Sequence, residues 1–438
     1  MPVAHAPTPA VAAAAAPPRA DLLATARAVA ERSAARAAAL DHNARPGAGV
    51  VPHADFDDLA RSGLLAAALP REAGGAGLAT DPAALHLLYE VLAHVGQGNL
   101  AVGRVFEGHV NAVGLVHEWG TAAQRAACAR DVRDGHVFGV WNTEIPASGV
   151  LLVPLTGGRV RMDGSKTFCS GAGRVTRAFA NGRLQPSGDG GGGGWQMALV
   201  PLDRVETSYD PTWWTAEGMR ASASGRVGFA GVVLGADALV GGPGDYERQP
   251  SFSCGAVRFL AVQLGGARAL AAAATAHLRR LGRTDHPVQQ ARLGEIAAAL
   301  ETGALWLLGA ARLLGDPQAP VEDRVAYADL ARGAIEGACL DVMRLVDRAV
   351  GARGLLPPSP VERIGRDLRL YLRQPNPDGA LAAAGAHAAA TDRPARGSAP
   401  AAACAAPAGG PTQAPAPRPD AAPQSPAVRV ALASIPAP

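Results

Sequence analysis

A series of short apolar runs separated by turn signals covers residues 138–173 and constrains the fold more than any other part of the chain. One run ends at Trp141, a second covers residues 150–153, and a third covers residues 159–162. A Gly-Gly pair and an Asp-Gly pair follow the second and third runs, and this alternation is typical of consecutive β-hairpins. The stretch therefore predicts a β-rich segment.

Polar and aromatic side chains collect at the ends of these predicted strands. Asn142 and Thr143 follow the first run, and Phe168 lies two residues before Ser170. Side chains two residues apart on a strand point to the same face. Phe168 and Ser170 are therefore able to present a ring and a hydroxyl to one flat ligand. The alternative is an ordinary edge hairpin in which Phe168 belongs to the core.

The hydrophobic pattern changes twice along the chain and predicts an α+β architecture. Apolar residues recur at helical spacing before and after the β-rich segment, whereas strand signals dominate between them. We expect an N-terminal helical domain at 20–134, a middle β domain at 135–247 and a C-terminal four-helix bundle at 248–390. The Ala/Pro-rich segments at 1–19 and 391–438 are expected to be disordered, because their side chains bury too little apolar surface.

The charge and the cysteine pattern argue against several classes of protein. The net charge is +3 and the chain has no basic run, so we expect no nucleic-acid partner. The five cysteines are widely spaced and the histidines are scattered, which indicates neither a disulfide framework nor a metal site. We find no uninterrupted apolar stretch of membrane-spanning length, and the N-terminal segment is a poor signal peptide. A cytoplasmic protein without membrane association is therefore expected.

Three motifs resemble the acyl-CoA dehydrogenase superfamily. The order FGVWNTE…DGSKTFCSGAG is similar to the central flavin-binding segment of that superfamily, LPREAGGAGL to its first helix–loop, and WTAEGMRASASGRVGFAGVVL to the end of its β domain. The resemblance covers about residues 50–390. It implies an N-terminal helical domain, a middle β-barrel-like domain and a C-terminal four-helix bundle, with a flavin between the β domain and the bundle.

The resemblance also implies which residues contact the flavin ring. Thr143 would hydrogen-bond the isoalloxazine, Phe168 and Ser170 would lie against the ring, and Trp141 and Asn142 belong to the same cofactor-binding segment. The following loop departs from the family, because Ile-Pro-Ala-Ser-Gly replaces the usual Pro-Gly-Ala-Gly-Ser.

FAD is expected rather than FMN, because contacts for a diphosphate and an adenine can be suggested. The family places an arginine near the end of the first bundle helix on the pyrophosphate of a neighbouring subunit, and Arg280 or Arg283 occupies that region. The segment DRAVGARG is similar to the family's adenine and pyrophosphate loop, with Arg348, Gly351 and Gly354 as the implied contacts. A helix-end arginine and a helix-capping glycine are the structural alternatives.

The catalytic base of the family is missing from its expected positions. Removal of an α-proton needs a carboxylate within hydrogen-bond reach, but Pro375 and Val257 stand where the family's glutamates are found. Asp378 is the nearest substitute for a catalytic base, and capping of a helix is the alternative role for it.

A second branch of the same fold also lacks that glutamate. Flavin-dependent monooxygenases carry an aromatic-x-Ser-Gly segment, which resembles FCSG at 168–171, and a histidine whose position is taken here by Gln374. Cys169 is expected to pack in the core. His109 lies on a helix that could line an acyl pocket, and a hydrogen-bonded helix histidine is the alternative.

The leading prediction is an FAD-dependent oxidoreductase that oxidises a CH–CH bond of an acyl thioester, carried by CoA or a carrier protein. The resemblance implies an electron acceptor such as an electron-transfer flavoprotein. It also implies a homodimer or homotetramer, because the phosphate-binding arginine acts across subunits. The alternatives are a flavin-dependent monooxygenase of the same fold, a flavin-binding homologue without dehydrogenase activity, and a helical binding module without a cofactor.

Overall fold

A computed structural model describes residues 3–5, 7–9, 11–44, 47, 49–186 and 194–391. Within these residues, helices precede and follow a central β region, which confirms the predicted α+β class. The predicted C-terminal tail lies outside the described residues except for Thr391, which ends the last helix. The exact domain boundaries stay predictions.

The N-terminal helices bury one face each against a common core of Leu, Val, Ala and Phe side chains. Side-chain caps fix two of their starts: Asn99 accepts a hydrogen bond from the Ala101 amide, and Thr121 forms a capping box with Gln124. In the described part of the chain these helices are α1 (Leu22–Asn43), α2 (His53–Arg61), α3 (Leu64–Ala67), α4 (Leu85–Gly98), α5 (Leu100–Trp119) and α6 (Ala122–Arg133).

The β region contains two sheets built from short strands. The strands are β1 (Val3–His5), β2 (Val137–Val140), β3 (Leu151–Pro154), β4 (Val160–Asp163), β5 (Ser165–Lys166), β6 (Val175–Phe179), β7 (Gly182–Leu184), β8 (Gly194–Pro201), β9 (Thr207–Asp210), β10 (Arg226–Gly228), β11 (Val232–Leu234) and β12 (Leu239–Val240). One sheet has the order β1-β9-β10-β5. The other has the order β11-β4-β3-β7-β8-β6-β2, with β12 also paired to β8.

Only one of the two predicted turns in residues 138–173 closes a hairpin. Strands β3 and β4 pair antiparallel across the Gly-Gly turn, as predicted. The Asp-Gly turn instead carries the chain from β4 to β5, which belongs to the other sheet. Gly164 has φ +117° and supplies the backbone conformation that this change of sheet requires.

The prediction of disorder for residues 1–19 is wrong for the described part of that segment. Strand β1 pairs antiparallel with β9, with Val3 opposite Tyr209. Farther along, the amides of Ala13 and Ala14 donate hydrogen bonds to the carbonyls of Arg133 and Ala60. An Ala/Pro segment has little side chain to bury, but its backbone can still satisfy its hydrogen bonds against an open sheet edge.

The C-terminal helices form the predicted bundle around one buried helix. They are α7 (Ser251–Cys254), α8 (Val257–Arg280), α9 (Pro287–Leu314), α10 (Val321–Gly354), α11 (Pro360–Tyr371) and α12 (Pro377–Thr391). Helix α8 also packs closely on α4 of the N-terminal part. A Cβ atom added to Gly265 would lie 2.0 Å from the carbonyl oxygen of Ala93, so this crossing requires glycine.

Two helices of the described chain are long and apolar enough to cross a membrane by length and composition. These are residues 251–280, whose apolar window is 61% buried, and α9, whose window is 33% buried. Both segments are interrupted by charged residues, such as Arg268 in the first and Glu301 in the second, so neither is an uninterrupted apolar stretch. A buried core helix has the same composition, and α8 is such a helix.

His109 is a buried structural histidine of α5, which was the alternative role considered for it. Its Nε2 donates to the Leu65 carbonyl at 3.1 Å, and its Nδ1 accepts from the Phe138 amide at 3.2 Å. These bonds join α5 to α3 and β2 and require a neutral imidazole. Burial lowers the pKa of His109 from 6.5 to about 4.

We expect His109 to make the protein less stable in acid. The unfolded chain protonates this histidine near pH 6.5 and the folded chain only near pH 4, so unfolding takes up a proton between these values. The free energy of unfolding should fall by roughly 3 kcal/mol as the pH drops through that window. Urea unfolding of wild type and His109→Gln at several pH values measures the difference. An equal loss in both proteins would contradict the assignment, and His86→Gln on the exposed surface of α4 is the control.

Candidate active site

A cleft of about 470 Å³ lies between the β region and the helices. Four of the predicted flavin-contacting side chains line it, namely Asn142, Thr143, Phe168 and Ser170. The opposite walls come from α5, from the segment that includes α7 and the start of α8, and from the end of α11. The cleft therefore combines segments that are far apart in the sequence.

Phe168 forms an aromatic wall of this cleft and is not a core residue. Its side chain is 48% exposed, and its ring makes edge contacts with Trp213 and Trp214 at centroid distances of 4.9 and 5.7 Å. The backbone of Phe168 has φ +54°, which costs a non-glycine residue on the order of 1–3 kcal/mol. The surrounding structure holds the ring out of the core, where a flat ligand can stack on it.

The hydroxyl of Ser170 belongs to a chain of serines. Its Oγ lies 3.0 Å from Ser224 Oγ, which lies 2.7 Å from Ser222 Oγ, and Ser222 donates to the Met219 carbonyl. Trp141 is buried behind this wall and donates from Nε1 to the Ser170 carbonyl at 3.1 Å. Trp141 therefore positions Ser170, and the prediction that Trp141 itself contacts the cofactor has no support in its placement.

The loop that carries Thr143 is anchored by a buried ion pair. Lys166 Nζ donates to Glu144 Oε2 at 2.6 Å and to the Asn142 carbonyl at 3.1 Å, and it lies 4.5 Å from the centre of the Trp195 ring. Burial lowers the pKa of Lys166, and Glu144 opposes that effect. The backbone of this loop is thus fixed while the Thr143 side chain remains exposed to the cleft.

Charged side chains of α5 and α8 form another wall. Arg104, Glu107 and Asn111 share one face of α5, and Arg258 lies in the first turn of α8. Arg104 Nη1 donates to Glu107 Oε2 at 3.1 Å, and Arg258 Nη2 donates to Asn111 Oδ1 at 2.6 Å. Arg258 Nε also lies 3.5 Å from Glu107 Oε1. Among the described residues, Glu107 is the one carboxylate that lines the cleft.

None of the positions where the family carries its base or its histidine holds an acid, and one of them, Val257, is fully buried and does not line the cleft. Gln374, Pro375 and Tyr371 line it, and the Gln374 amide donates to the Tyr371 carbonyl at 2.8 Å. Asp378 is exposed in the first turn of α12 and does not line the cleft. The structure thus does not bring Asp378 to the place where a base would act.

Within a single chain, the residues that were predicted to contact the diphosphate and the adenine lie outside this cleft. Arg280 ends α8, and Arg283 follows in the loop to α9. Arg348 and Gly354 lie at the end of α10, which Gly351 interrupts with φ +64°. The Arg348 carbonyl accepts from Arg292 of α9, so this end of α10 packs on α9. The roles of these residues in holding a cofactor stay predictions.

Several lining residues were not predicted from the sequence. The serines at 222 and 224 stand within the quoted motif WTAEGMRASASG, so that motif was a usable signal for them. No sequence signal pointed to Arg104, Glu107 or Arg258, because a charged residue on a helix usually faces solvent. Cys169 is fully buried, which confirms its predicted place in the core.

Comparisons with known proteins agree with this architecture. The family model described as acyl-CoA dehydrogenase, N-terminal domain, matches residues 19–136, and the one described as acyl-CoA dehydrogenase, C-terminal domain, matches residues 258–372. Dibenzothiophene monooxygenase of Rhodococcus erythropolis is 27% identical over 383 residues, which cover 80% of this chain and 89% of that protein.

The solved structures that share the fold include a flavin-bound monooxygenase relative and an acyl-CoA dehydrogenase. FMN-bound TdsC from Paenibacillus sp. A11-2 superposes with a TM-score of 0.72 and 24% identity, covering 83% of this chain and 96% of that one. Butyryl-CoA dehydrogenase from Megasphaera elsdenii superposes with a TM-score of 0.71 and 17% identity, covering 84% of this chain and 97% of that one.

Proposed function

This chain belongs to the acyl-CoA dehydrogenase superfamily, and from that premise we propose that it is a flavin-dependent monooxygenase built on the superfamily's fold. The proposal names an oxidoreductase that transfers one oxygen atom from O₂ to an organic substrate. The similarity to dibenzothiophene monooxygenase over 80% of this chain supports this branch.

The ion pairs of the carboxylate in the cleft decide between the two candidate activities, an acyl-thioester dehydrogenase and a monooxygenase. Acyl-thioester oxidation needs a carboxylate that is free to take the α-proton. Glu107, the one carboxylate lining the cleft in the described chain, is held between Arg104 and Arg258. Each of its two oxygens faces a guanidinium group, Oε2 that of Arg104 at 3.1 Å and Oε1 that of Arg258 at 3.5 Å, so neither oxygen is free to take a proton from a substrate. An acyl-thioester dehydrogenase, which was the leading prediction from the sequence, would therefore lack its catalytic base.

The cleft fits a flavin ring by its shape and its donors. The exposed ring of Phe168 offers a stacking surface, and the hydroxyls of Thr143 and Ser170 offer hydrogen bonds to the edge of a heterocycle. When bound and reduced, the flavin would supply the electrons that activate O₂. The protein would hold the ring and exclude water through the apolar walls.

FMN is the form that we propose. The similar protein TdsC is FMN-bound in its crystal structure. The predicted FAD contacts, by contrast, lie away from this cleft within one chain and depend on a neighbouring subunit. Comparison of the FMN and FAD affinities of the purified protein tests this choice, and a much tighter complex with FAD would support the original prediction.

The partners of this enzyme follow from the same chemistry. A monooxygenase of this type needs reduced flavin, so we propose a flavin reductase as its electron source in place of an electron-transfer flavoprotein. The predicted homodimer or homotetramer remains part of the proposal. Its support is the exposure of two leucines of the bundle, Leu305 of α9 and Leu340 of α10, which are 56% and 43% exposed.

Oxygen labelling tests the proposed reaction. The protein is incubated with FMN, NADH, a flavin reductase, ¹⁸O₂ and a panel of heteroaromatic compounds, with catalase present to remove free peroxide. We expect a product that carries one labelled oxygen atom, whereas a control without catalase, in which H₂¹⁸O₂ replaces the reductase and the ¹⁸O₂, should give no oxygenated product. Oxygen uptake that ends entirely as peroxide across the panel would count against the proposal.

A further inference from the structure

The arginines that line the cleft outnumber the carboxylates that can neutralise them. Four arginines and one glutamate line it. Arg332 lies 3.9 Å from Asp329, and Arg373 is paired with Glu336, so each of these has its own acid. Arg104 and Arg258 instead share Glu107, which is the one carboxylate within ion-pair distance of either in the described residues.

The geometry of this cluster leaves Arg258 incompletely satisfied. Its Nη2 donates to Asn111, but its buried Nε makes no hydrogen bond to any described residue, because Glu107 Oε1 is 3.5 Å away. One carboxylate neutralises one guanidinium. A second guanidinium removed from bulk water without its own anion is unfavourable, and an anionic ligand would relieve it.

Neutral donors surround the same place. The hydroxyl of Tyr371 is buried and has no hydrogen-bond partner among the described residues. Its residue is 4% exposed and lines the cleft. Burial raises the pKa of Tyr371 and raises that of Tyr246 to about 12, so both hydroxyls stay protonated and can donate. Helix α8 also begins here, and the N-terminus of a long helix favours negative charge.

We propose that the substrate of this enzyme is an aromatic or heteroaromatic acid whose carboxylate binds Arg258, with Arg104 completing the charge balance. The inference rests on the proposed oxygenase function and adds the substrate class to it. Phe252, Phe259 and Leu115 supply the apolar surface for the ring of such an acid. A guanidinium matches a carboxylate because it can donate two parallel hydrogen bonds.

Equilibrium binding tests this without turnover. Isothermal titration of the oxidised, FMN-loaded protein compares 1-benzothiophene-2-carboxylate with the matching 2-carboxamide, which has the same shape and no charge. Charge-assisted hydrogen bonds are stronger than neutral ones, so we expect the carboxylate to bind roughly 10–100-fold more tightly. Arg258→Met should remove this preference, and Arg258→Lys should retain part of it. Glu107→Gln should increase it, because the competing carboxylate is gone.

The outcomes separate the substrate class from the oxygenase function. Arg279→Met, an exposed change on the same helix, is the control and should leave the preference unchanged. Equal binding of acid and amide, tighter binding of the amide, or no binding of either would overturn the anionic subsite, whatever the labelling experiment shows. A preference for the acid together with failed oxygen labelling would keep the subsite and reject the monooxygenase. Circular dichroism of each variant confirms its fold.

Discussion

Replacing Glu144 with alanine is expected to lower the free energy of unfolding by roughly 3–5 kcal/mol, the range for breaking a buried ion pair from one side. The reason is the position of Lys166, whose side chain is fully buried. Without the Glu144 carboxylate at 2.6 Å, its ammonium keeps only the Asn142 carbonyl and the face of Trp195. A buried charge with so little compensation is strongly unfavourable.

The ion pair of Lys166 and Glu144 also predicts that its two single substitutions lower the free energy of unfolding by different amounts, and this difference serves as the control. Lys166→Met should cost much less than Glu144→Ala, because Glu144 is 25% exposed and water can solvate it when the lysine is gone. The double variant should be more stable than Glu144→Ala alone, since no charge is then left buried. Urea unfolding of the three variants measures this order. Equal losses in both single variants would show that the ion pair does not control the stability of the Thr143 loop.

The second large effect concerns the flavin. We expect the double variant Thr143→Val and Ser170→Ala to bind FMN roughly 100-fold more weakly than wild type, at about 1–1.5 kcal/mol for each lost hydrogen bond. Both hydroxyls line the cleft, and the anchoring loop and the serine chain hold them in place. Titration followed by flavin fluorescence gives the affinity.

Matched changes elsewhere control for the loss of hydroxyl groups in general. Thr302→Val on the exposed face of α9 and Ser208→Ala, exposed on β9, remove the same groups away from the cleft. These variants should bind FMN like wild type. An unchanged affinity in the Thr143 and Ser170 double variant would place the flavin ring somewhere else.

The fold and one wall of the cleft could be predicted because their signals are local. Helical spacing, turn residues and the FCSG segment lie within short windows, and the structure brings Thr143, Phe168 and Ser170 to one cleft. The exposure of Phe168 was harder to predict. Alternation along a strand suggests which face a side chain takes, but the positive φ at Phe168 comes from tertiary packing.

The remaining features depend on contacts between distant segments. Glu107 and Arg258 lie 151 positions apart in the sequence and meet only because α5 and α8 pack together. A charged residue on a helix is usually solvated, so periodicity alone gives no reason to place either at a site. Likewise, strand β1 depends on an open edge of β9, which the composition of residues 1–19 cannot reveal. Asp378 was chosen by nearness in sequence, and the start of α12 puts it on the surface.

The most direct test of the account is an anaerobic titration of the FMN-loaded protein with a panel of acyl-CoA thioesters, followed at the visible absorbance maximum of the flavin. We predict that the absorbance stays unchanged, because no free carboxylate in the described cleft can take the α-proton, and that the same sample then consumes O₂ once a reductase supplies reduced flavin. Bleaching of the flavin by any acyl-CoA would contradict the monooxygenase assignment and restore the dehydrogenase.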